Sequence, residues 1–311
     1  MSILNTATCA TSGGNTGIPD CAFDIKSLKG GFLVPNSFVL TDTQLGSSAS
    51  VLAALLAAAN NDNPSQRIYP LPESVSFTDN SEDAVVQQLG FGTSVVVRDG
   101  KYNLTIQYTK GGMCLSKQLQ KFNGSNWRWL GIDASGTLIG TKVGNTLKGV
   151  PLDQFYAPPF KWNDGANITA YTYRLNFDPI HINQNIAFVP MNYADLVNIS
   201  GIQNVVLSAP VARAAAVIKV KLNAGCAGID LYDLFSTELA AVGNFVVTEA
   251  GKNIDITSVA KDANLKAFTI TVDTADPDYV SAGPFVVNLA PISVLTLAGV
   301  AGYEGIPLTV V

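Results

Sequence analysis

Apolar positions recur along most of the chain with the two-residue period of β-strands. Between Tyr102 and Tyr108 every second residue is apolar, and short β-branched runs bounded by Gly, Asn and Asp occur elsewhere. The segment Ser47–Ala59 differs, because its Ala, Leu and Ser residues favour a helix that Ser47 or Ser48 can cap. The pattern therefore predicts a mainly β protein of the α+β class with one strong helix.

The clearest local prediction is a β-hairpin. Thr93–Arg98 and Lys101–Thr109 have strand patterns, and Asp99-Gly100 between them is a strong signal for a tight turn. We expect these two strands to pair about that turn. Gly90-Phe91-Gly92, just before the first strand, lacks the ending of a phosphate-binding loop, so we interpret it as a turn or bulge.

Three regions of the chain differ in composition. Residues 1–30 are rich in Thr, Ser, Asn and Gly over most of their length, which predicts an extended N-terminal arm. Residues 31–204 contain the helix, the hairpin and further strand candidates, and we expect them to form one β-rich assembly domain. Residues 205–311 contain seven short Val/Ile/Leu segments, the last being Ser293–Leu297. Their spacing is typical of an immunoglobulin-like sandwich.

Charged residues are scarce in this chain. They make up 14% of 311 residues, and the formal net charge is −5, whereas typical soluble domains have roughly 25% charged residues. The chain contains no run of about 18 apolar residues, so the sequence predicts no membrane-spanning helix. The negative charge argues against a protein that binds nucleic acid by neutralising phosphates. So few charges predict a surface that is rich in neutral polar residues or covered by other protein.

The sequence offers little catalytic or metal-binding chemistry. His181 is the one histidine and lies between two isoleucines. A single histidine excludes a multi-His metal site and makes His-based catalysis a weak candidate. The carboxylates of Asp273–Asp278 lack the spacing of an EF-hand loop, so we interpret them as an acidic turn. Cys9 and Cys21 flank a Gly-rich stretch and could pair, but we favour the reduced state for these two. We predict no enzymatic activity, no cofactor and no metal.

Two aromatic segments offer candidate binding surfaces. Phe122–Trp129 contains three aromatic residues and an arginine, and strand alternation places Trp127 and Trp129 on one face. Phe155–Trp162 combines aromatic residues with two prolines. Either segment could bind carbohydrate. We favour core packing or subunit contacts, because Trp, Tyr and Arg are enriched at interface anchors.

Short segments between Thr41 and Val189 form a wider pattern. They are Thr41-Asp42-Thr43 before the helix, Arg67–Pro72, Gly90–Thr93, Arg98–Lys101, Gly111-Gly112, Lys121–Asn123, Gly131–Asp133 and Gly140–Lys142. In this pattern the chain resembles structural proteins of tailed bacteriophages, with virion tail tube proteins as the best fit. The resemblance implies an N-terminal β-sandwich or barrel with a flanking helix. It also implies rings of six copies around a β-lined channel, and an immunoglobulin-like C-terminal domain on the outside.

We therefore expect a non-enzymatic virion subunit, assembled in the bacterial cytoplasm, that forms stacked hexameric rings. Its expected partners are further copies of itself and other virion proteins, with DNA only as non-specific cargo and no membrane. The predicted assembly residues are Ser47, Val51, Leu55, Val95, Val97, Leu104, Ile106, Phe122, Trp127, Trp129, Phe155, Tyr156, Phe160 and Trp162. Two alternatives remain: a capsid-decorating or head–tail ring protein, and a carbohydrate-binding adhesin using Trp127, Trp129 and Trp162.

Overall fold

The computed structural model describes residues 2–6, 27–124, 126–160, 170–177, 185–280 and 283–311. The chain divides into two compact units. The first unit comprises Met1–Ala59 and Asn63–Ser200, and the second comprises Asn60–Asp62 and Gly201–Val311. The main boundary thus falls slightly before Val205, the expected start of the second domain. Both units are built mainly from antiparallel sheets, which confirms the predicted mainly β class.

The first unit combines one large sheet with short helices. Its strands are β1 (Asn5–Thr6), β2 (Leu28–Pro35), β3 (Tyr69–Pro70), β4 (Ser76–Asp79), β5 (Val85–Gln88), β6 (Ser94–Arg98), β7 (Tyr102–Tyr108), β8 (Trp127–Asp133), β9 (Thr137–Val143), β10 (Thr146–Lys148), β11 (Val150–Tyr156), β12 (Tyr171–Phe177) and β13 (Ile186–Pro190). Its helices are α1 (Ser48–Ala59), α2 (Gly112–Gln120) and α3 (Tyr193–Val197). The sheet order is β1-β13-β9-β8-β11-β12-β7-β4, with β2 and β10 joined to β8 and β9, and β3 joined to β2.

The large sheet is buried on both faces where β2, β8 and β9 meet. Leu33 and Trp129 belong to a core shared with β7, β11 and β12. Their sequence neighbours Phe32 and Leu130 belong to a second core that includes α1. Because successive strand residues point to opposite faces, the two cores lie on opposite sides of these strands.

Helix α1 covers one of these faces. The Oγ of Ser47 accepts a hydrogen bond from the Ser50 amide at 3.2 Å and caps the helix start. Val51, Leu55 and Ala59 form the buried stripe, four residues apart. Leu56, on another side, is 41% exposed. The helix contains no charged residue, yet the chain by itself buries only this one stripe.

The predicted hairpin is wrong in its pairing. β6 pairs with β5, and β7 pairs with β4 and β12. The Glu82 amide donates to the Lys101 carbonyl at 2.9 Å, so Asp99-Gly100 lies midway along one long hairpin that runs from β4–β5 to β6–β7. A side chain at Gly100 would meet the Glu82 carbonyl, so this glycine permits close approach of two strands.

The turn of the long hairpin is at Gly90-Phe91-Gly92. Phe91 and Gly92 there have φ angles of +68° and +76°. Such left-handed conformations allow the tight reversal and suit glycine at one of the two positions. The interpretation of this tripeptide as a turn therefore holds.

The second unit is formed by two sheets around one core. Its strands are β14 (Gln203–Ser208), β15 (Val217–Ala224), β16 (Ile229–Asp230), β17 (Phe245–Glu249), β18 (Lys252–Ile254), β19 (Ile256–Asp262), β20 (Ala267–Val272), β21 (Phe285–Leu289), β22 (Tyr303–Ile306) and β23 (Leu308–Val310). Its helices are α4 (Leu231–Phe235) and α5 (Ile292–Leu297). One sheet has the order β19-β20-β15-β14-β22 with β16 on β15, and the other β18-β17-β21-β23.

One strand prediction in the second unit is wrong. Ser293–Leu297 lies in helix α5 instead of a strand. Ile292 and Leu295 are buried, whereas Val294 and Leu297 are exposed. That three-residue spacing of buried positions belongs to a helix, and Pro291 directly before it is a helix-start signal.

Candidate assembly surfaces

The end of the long hairpin is a separate two-stranded arm, residues 84–97, which we call the arm. In the described chain, β5 and β6 pair with each other and with no other strand. Every residue from Glu82 to Asp99 is exposed. The arm therefore lies in solvent instead of against the sheet of the first unit.

The arm is apolar on both faces and carries no charged side chain. Val86 lies directly opposite Val96, and Val95 lies opposite Gln87, so valines occupy both faces. Phe91 at the tip is fully exposed. Its exposed large apolar side chains are Val85, Val86, Leu89, Phe91, Val95, Val96 and Val97. Contiguous exposed apolar surface of this kind makes the arm a candidate interaction surface.

Charges reappear abruptly at the root of the arm. The Arg98 guanidinium forms an ion pair with Glu82 at 3.2 Å, with both side chains more than half exposed. Asp83 and Asp99 lie beside this pair in sequence. The root is thus charged and the arm is not, which separates two kinds of surface on one hairpin.

A second candidate surface lies on the strands β11, β12, β7 and β4. On one face these strands carry amides and hydroxyls, and we call this the amide–hydroxyl face. Ser76 Oγ donates to Gln107 Oε1 at 2.7 Å, and Asn80 Nδ2 donates to Thr105 Oγ1 at 2.9 Å nearby. Cross-strand register defines the face as Ser76, Thr78, Asn103, Thr105, Gln107, Gln154, Tyr156, Thr172, Arg174 and Asn176. Arg174 is its one charged member.

The opposite face of the same strands is part of the core. Ile106, Tyr108, Tyr173 and Leu175 are fully buried there. Burial raises the pKa of the Tyr108 and Tyr173 hydroxyls, so both stay neutral. The polar face therefore lies over a closely packed apolar layer. Such packing resists deformation of the strands that carry the polar side chains.

The two tryptophans proposed as a sugar platform lie against the protein core. Trp129 is 4% exposed and packs edge-on against Phe177 with ring centroids 5.5 Å apart. Trp127 is half-buried between Tyr69 and Phe122, at 5.7 and 5.5 Å. Neither ring is an open stacking surface. Trp162 lies outside the described residues.

The other predicted assembly residues divide by burial. Val51, Leu55, Ile106, Trp129 and Phe155 are buried in the chain's own cores and do not reach its surface. Leu104, Phe122 and Trp127 are partly buried against the core that contains Ile106, Trp129 and Phe155. Tyr156 and Phe160 are half-buried, and Ser47 is exposed beside the start of α1. Val95 and Val97 are exposed on the arm.

Sequence reasoning missed half of the arm. Val85, Val86, Leu89 and Phe91 were not among the predicted assembly residues. The signal that could have found them is the stretch 84–97 itself, which is free of charge, rich in β-branched residues and without proline.

One polar cluster of the first unit joins α3 to the segment after β3. The Tyr193 hydroxyl donates to Glu73 Oε1 at 2.7 Å, and Lys110 Nζ lies 3.4 Å from Glu73 Oε2. The Tyr193 hydrogen bond is the main cause that lowers the pKa of Glu73. Burial, together with Glu73, raises the pKa of Tyr193 to about 12. The cluster contains no histidine or thiol that would act as a nucleophile, and we interpret it as a structural clamp.

Within the described ranges, no group of three His, Cys, Asp or Glu residues is placed to hold a metal. The aspartates of Asp273–Asp278 act within a turn: Asp273 accepts from the Ala275 amide and Asp276 from the Asp278 amide. Cys114 and Cys226 each take part in a disulfide bond. His181, Cys9 and Cys21 lie outside the described residues.

Comparison with protein-family models, curated proteins and solved structures finds no match to this chain. No helix in the described parts of the chain has the length and apolar character needed to span a bilayer. The arm and the amide–hydroxyl face are therefore the features from which function must be inferred.

Proposed function

We propose that this protein is a structural subunit of a phage virion, a tail tube protein that self-assembles into stacked hexameric rings around a DNA-conducting channel. The observation that carries the proposal is the arm, because an exposed hairpin with valines on both faces and no charge is suited to burial against other protein. The sequence resemblance to tail tube proteins implies the kind of assembly, namely stacked hexameric rings.

The energetics of the arm favour assembly. Burying apolar surface yields roughly 25 cal/mol per Å², and the cores of protein interfaces are depleted in charge. Because only 14% of the residues are charged, burial of this chain's surface desolvates few charged groups. Head-to-tail contacts between identical copies close into rings when the rotation permits.

The amide–hydroxyl face supports the proposed channel. It spans four antiparallel strands, β11, β12, β7 and β4. Six such sheets would place about 24 strands around a ring, and barrels of 16–18 strands already enclose a water-filled channel. A face with one arginine and no row of lysines would hold DNA phosphates only weakly. DNA would thus be non-specific cargo.

The second unit supports the finer part of the resemblance. Its two sheets, antiparallel except for the parallel pair β14–β22, enclose one apolar core, as in an immunoglobulin-like sandwich. We propose that it is such a domain and that it decorates the outside of the tube. The α1 helix is then the flanking helix of the tube-forming domain.

The experiment compares the full chain with a variant in which residues 84–97 are replaced by Asn-Gly. Light scattering and electron microscopy of the purified proteins measure mass and shape. We expect rings or tubes for the full chain and a folded monomer for the variant. A full chain that stays monomeric at high concentration, or a variant that still forms rings, contradicts the proposal. Rings that never stack would favour a head–tail ring protein.

A further inference from the structure

The edges of the arm have unused hydrogen-bonding capacity. Resting on the proposed function, we infer that neighbouring copies join by edge-to-edge pairing of their arms, with β5 of one copy hydrogen-bonded to β6 of the next. The partner is a second copy of this chain, and the main chain makes the contact. The inference concerns how copies recognise one another, beyond the fact of assembly.

The register of the arm shows which backbone groups point outward. The Leu89 amide donates to the Thr93 carbonyl at 2.7 Å, which closes the turn. Along an antiparallel pair, hydrogen-bonded and non-bonded residue pairs alternate. Gln87 and Val95 are therefore bonded to each other, whereas the Val86–Val96 and Gln88–Ser94 pairs direct their amides and carbonyls outward.

Both outward edges are open in the described chain. β5 and β6 have no strand partner except each other, and all their residues are exposed. An open strand edge is a template for another strand, and proteins that remain monomeric protect such edges with charge, proline or cover. Residues 84–97 contain none of these protections. Edge protection is absent over the length of the arm, as expected if the edge is used.

A second copy suits this surface better than an unrelated partner. One arm offers two edges, so a β5 edge of one copy can meet the β6 edge of the next repeatedly. Identical arms laid side by side bring no like charges together, because neither has any. Val86 and Val96 on one face would then lie beside the valines of the neighbouring arm.

The area of the arm favours a ring over an isolated pair. A standard interface uses about 800 Å² and 20–30 residues on each side, or roughly 30–40 Å² per residue. By that measure residues 84–97, fourteen in number, supply about 400–550 Å². One arm contact is thus below the size of a stable dimer. An arm held between two neighbours takes part in two contacts, which favours closed assemblies.

The charged root limits the paired segment. Glu82 and Asp83 precede the arm, and Arg98 and Asp99 follow it. Charges that flank an apolar strand oppose further pairing beyond them. Pairing between copies is therefore confined to the arm, and its register is defined by the two charged ends.

The test removes one outward-pointing amide of β6 and keeps the hydrogen bonds between β5 and β6. Ser94→Pro deletes an outward N–H on β6, and Thr93 before it has the extended conformation, φ −79° and ψ 131°, that proline requires. Ser94→Ala is the matched control, because it keeps the amide. Light scattering over a concentration series measures self-association. We expect Ser94→Pro to weaken association by about tenfold or more and Ser94→Ala to resemble the wild type.

A second pair, Val96→Pro and Val96→Ala, repeats the comparison at the other outward position of β6. Circular dichroism and thermal unfolding confirm that each variant is folded. If the wild type associates and both folded proline variants associate equally well, edge pairing is refuted while the proposed function stands. If the wild type never associates, the proposed function itself fails.

Discussion

At the scale of single residues, the Glu73–Tyr193 contact links stability to pH. The lowered pKa of Glu73 stabilises the fold above the ordinary carboxyl value of 4.5, and this contribution is lost as pH falls through the folded value. The raised pKa of Tyr193 stabilises the fold below 10.0, and this contribution is lost as pH rises towards about 12.

The variant Tyr193→Phe removes this hydrogen bond. Because Glu73 is exposed, we expect a loss of only about 1 kcal/mol in the free energy of unfolding near neutral pH. Urea unfolding of both proteins should show the difference shrink as pH falls through the lowered pKa of Glu73. Tyr156→Phe, at a half-buried tyrosine, is the control. A difference that persists unchanged in acid would contradict the assignment to Glu73.

The cysteines allow a second residue-scale prediction. Cys114 and Cys226 are disulfide-bonded, so neither thiol should be alkylated in denaturant without reductant. Both should react once a reductant is added, as peptide mass mapping can show. Disulfides persist in oxidising surroundings, virion surfaces included. Full alkylation of both residues in the unreduced protein would refute the bonded state.

Residue-scale predictions from the sequence succeeded where chemistry is local. The turn predicted at Gly90-Phe91-Gly92 is such a case, because glycine readily adopts the left-handed φ of +76° that Gly92 has there. Val51 and Leu55 were predicted at a subunit contact instead of in the chain's own core, because the absence of charge on α1 looks the same for a core helix and an interface helix. The sequence of a helix does not show which neighbouring element covers it.

At the scale of elements, α1 offers a matched pair of neighbouring leucines. Leu55 is fully buried and Leu56 is 41% exposed. We expect Leu55→Ala to lower the free energy of unfolding by about 2–4 kcal/mol through the cavity it leaves. Leu56→Ala should change it by no more than about 0.5 kcal/mol. Chemical denaturation of both variants measures this, and equal losses would contradict the placement of the helix.

The arm yields the second element-scale prediction. Val95→Asp combined with Val97→Asp places charge on an exposed surface, so the thermal midpoint should hardly change. Self-association should be lost, because two carboxylates would be desolvated at every contact. Val143→Asp, at a valine 48% exposed on β9, is the control and should associate normally. Unchanged association of the double variant would exclude the arm from the interface.

Element boundaries were more predictable than element partners. The segments Thr93–Arg98 and Lys101–Thr109 contain strands close to the predicted bounds, since alternation is a local signal. Their partners lie on β5, β4 and β12, up to 75 residues away at the Tyr102–Phe177 pair. The Asp-Gly dipeptide favours a turn locally, but the longer register with β4 and β5 makes more hydrogen bonds.

At the scale of the whole molecule, composition predicted the general character but not the surface. Scarce charge predicted either a neutral polar surface or one covered by other protein; the described chain has polar surface, and cover by other protein stays a prediction. The amide–hydroxyl face is neutral and polar, and the arm is apolar and uncovered. The aromatic segments looked equally suited to contacts, but non-local packing on Phe177 places Trp129 in a core. No local pattern distinguishes those outcomes.

The assembly claim depends most directly on where residues 84–97 lie among copies. Cryo-electron microscopy of the purified full chain measures this. We expect closed rings or stacked tubes in which each arm lies between neighbouring copies and the amide–hydroxyl face lines the lumen. Isolated single chains with the arm in solvent, or an assembly whose contacts leave every arm free, would contradict it.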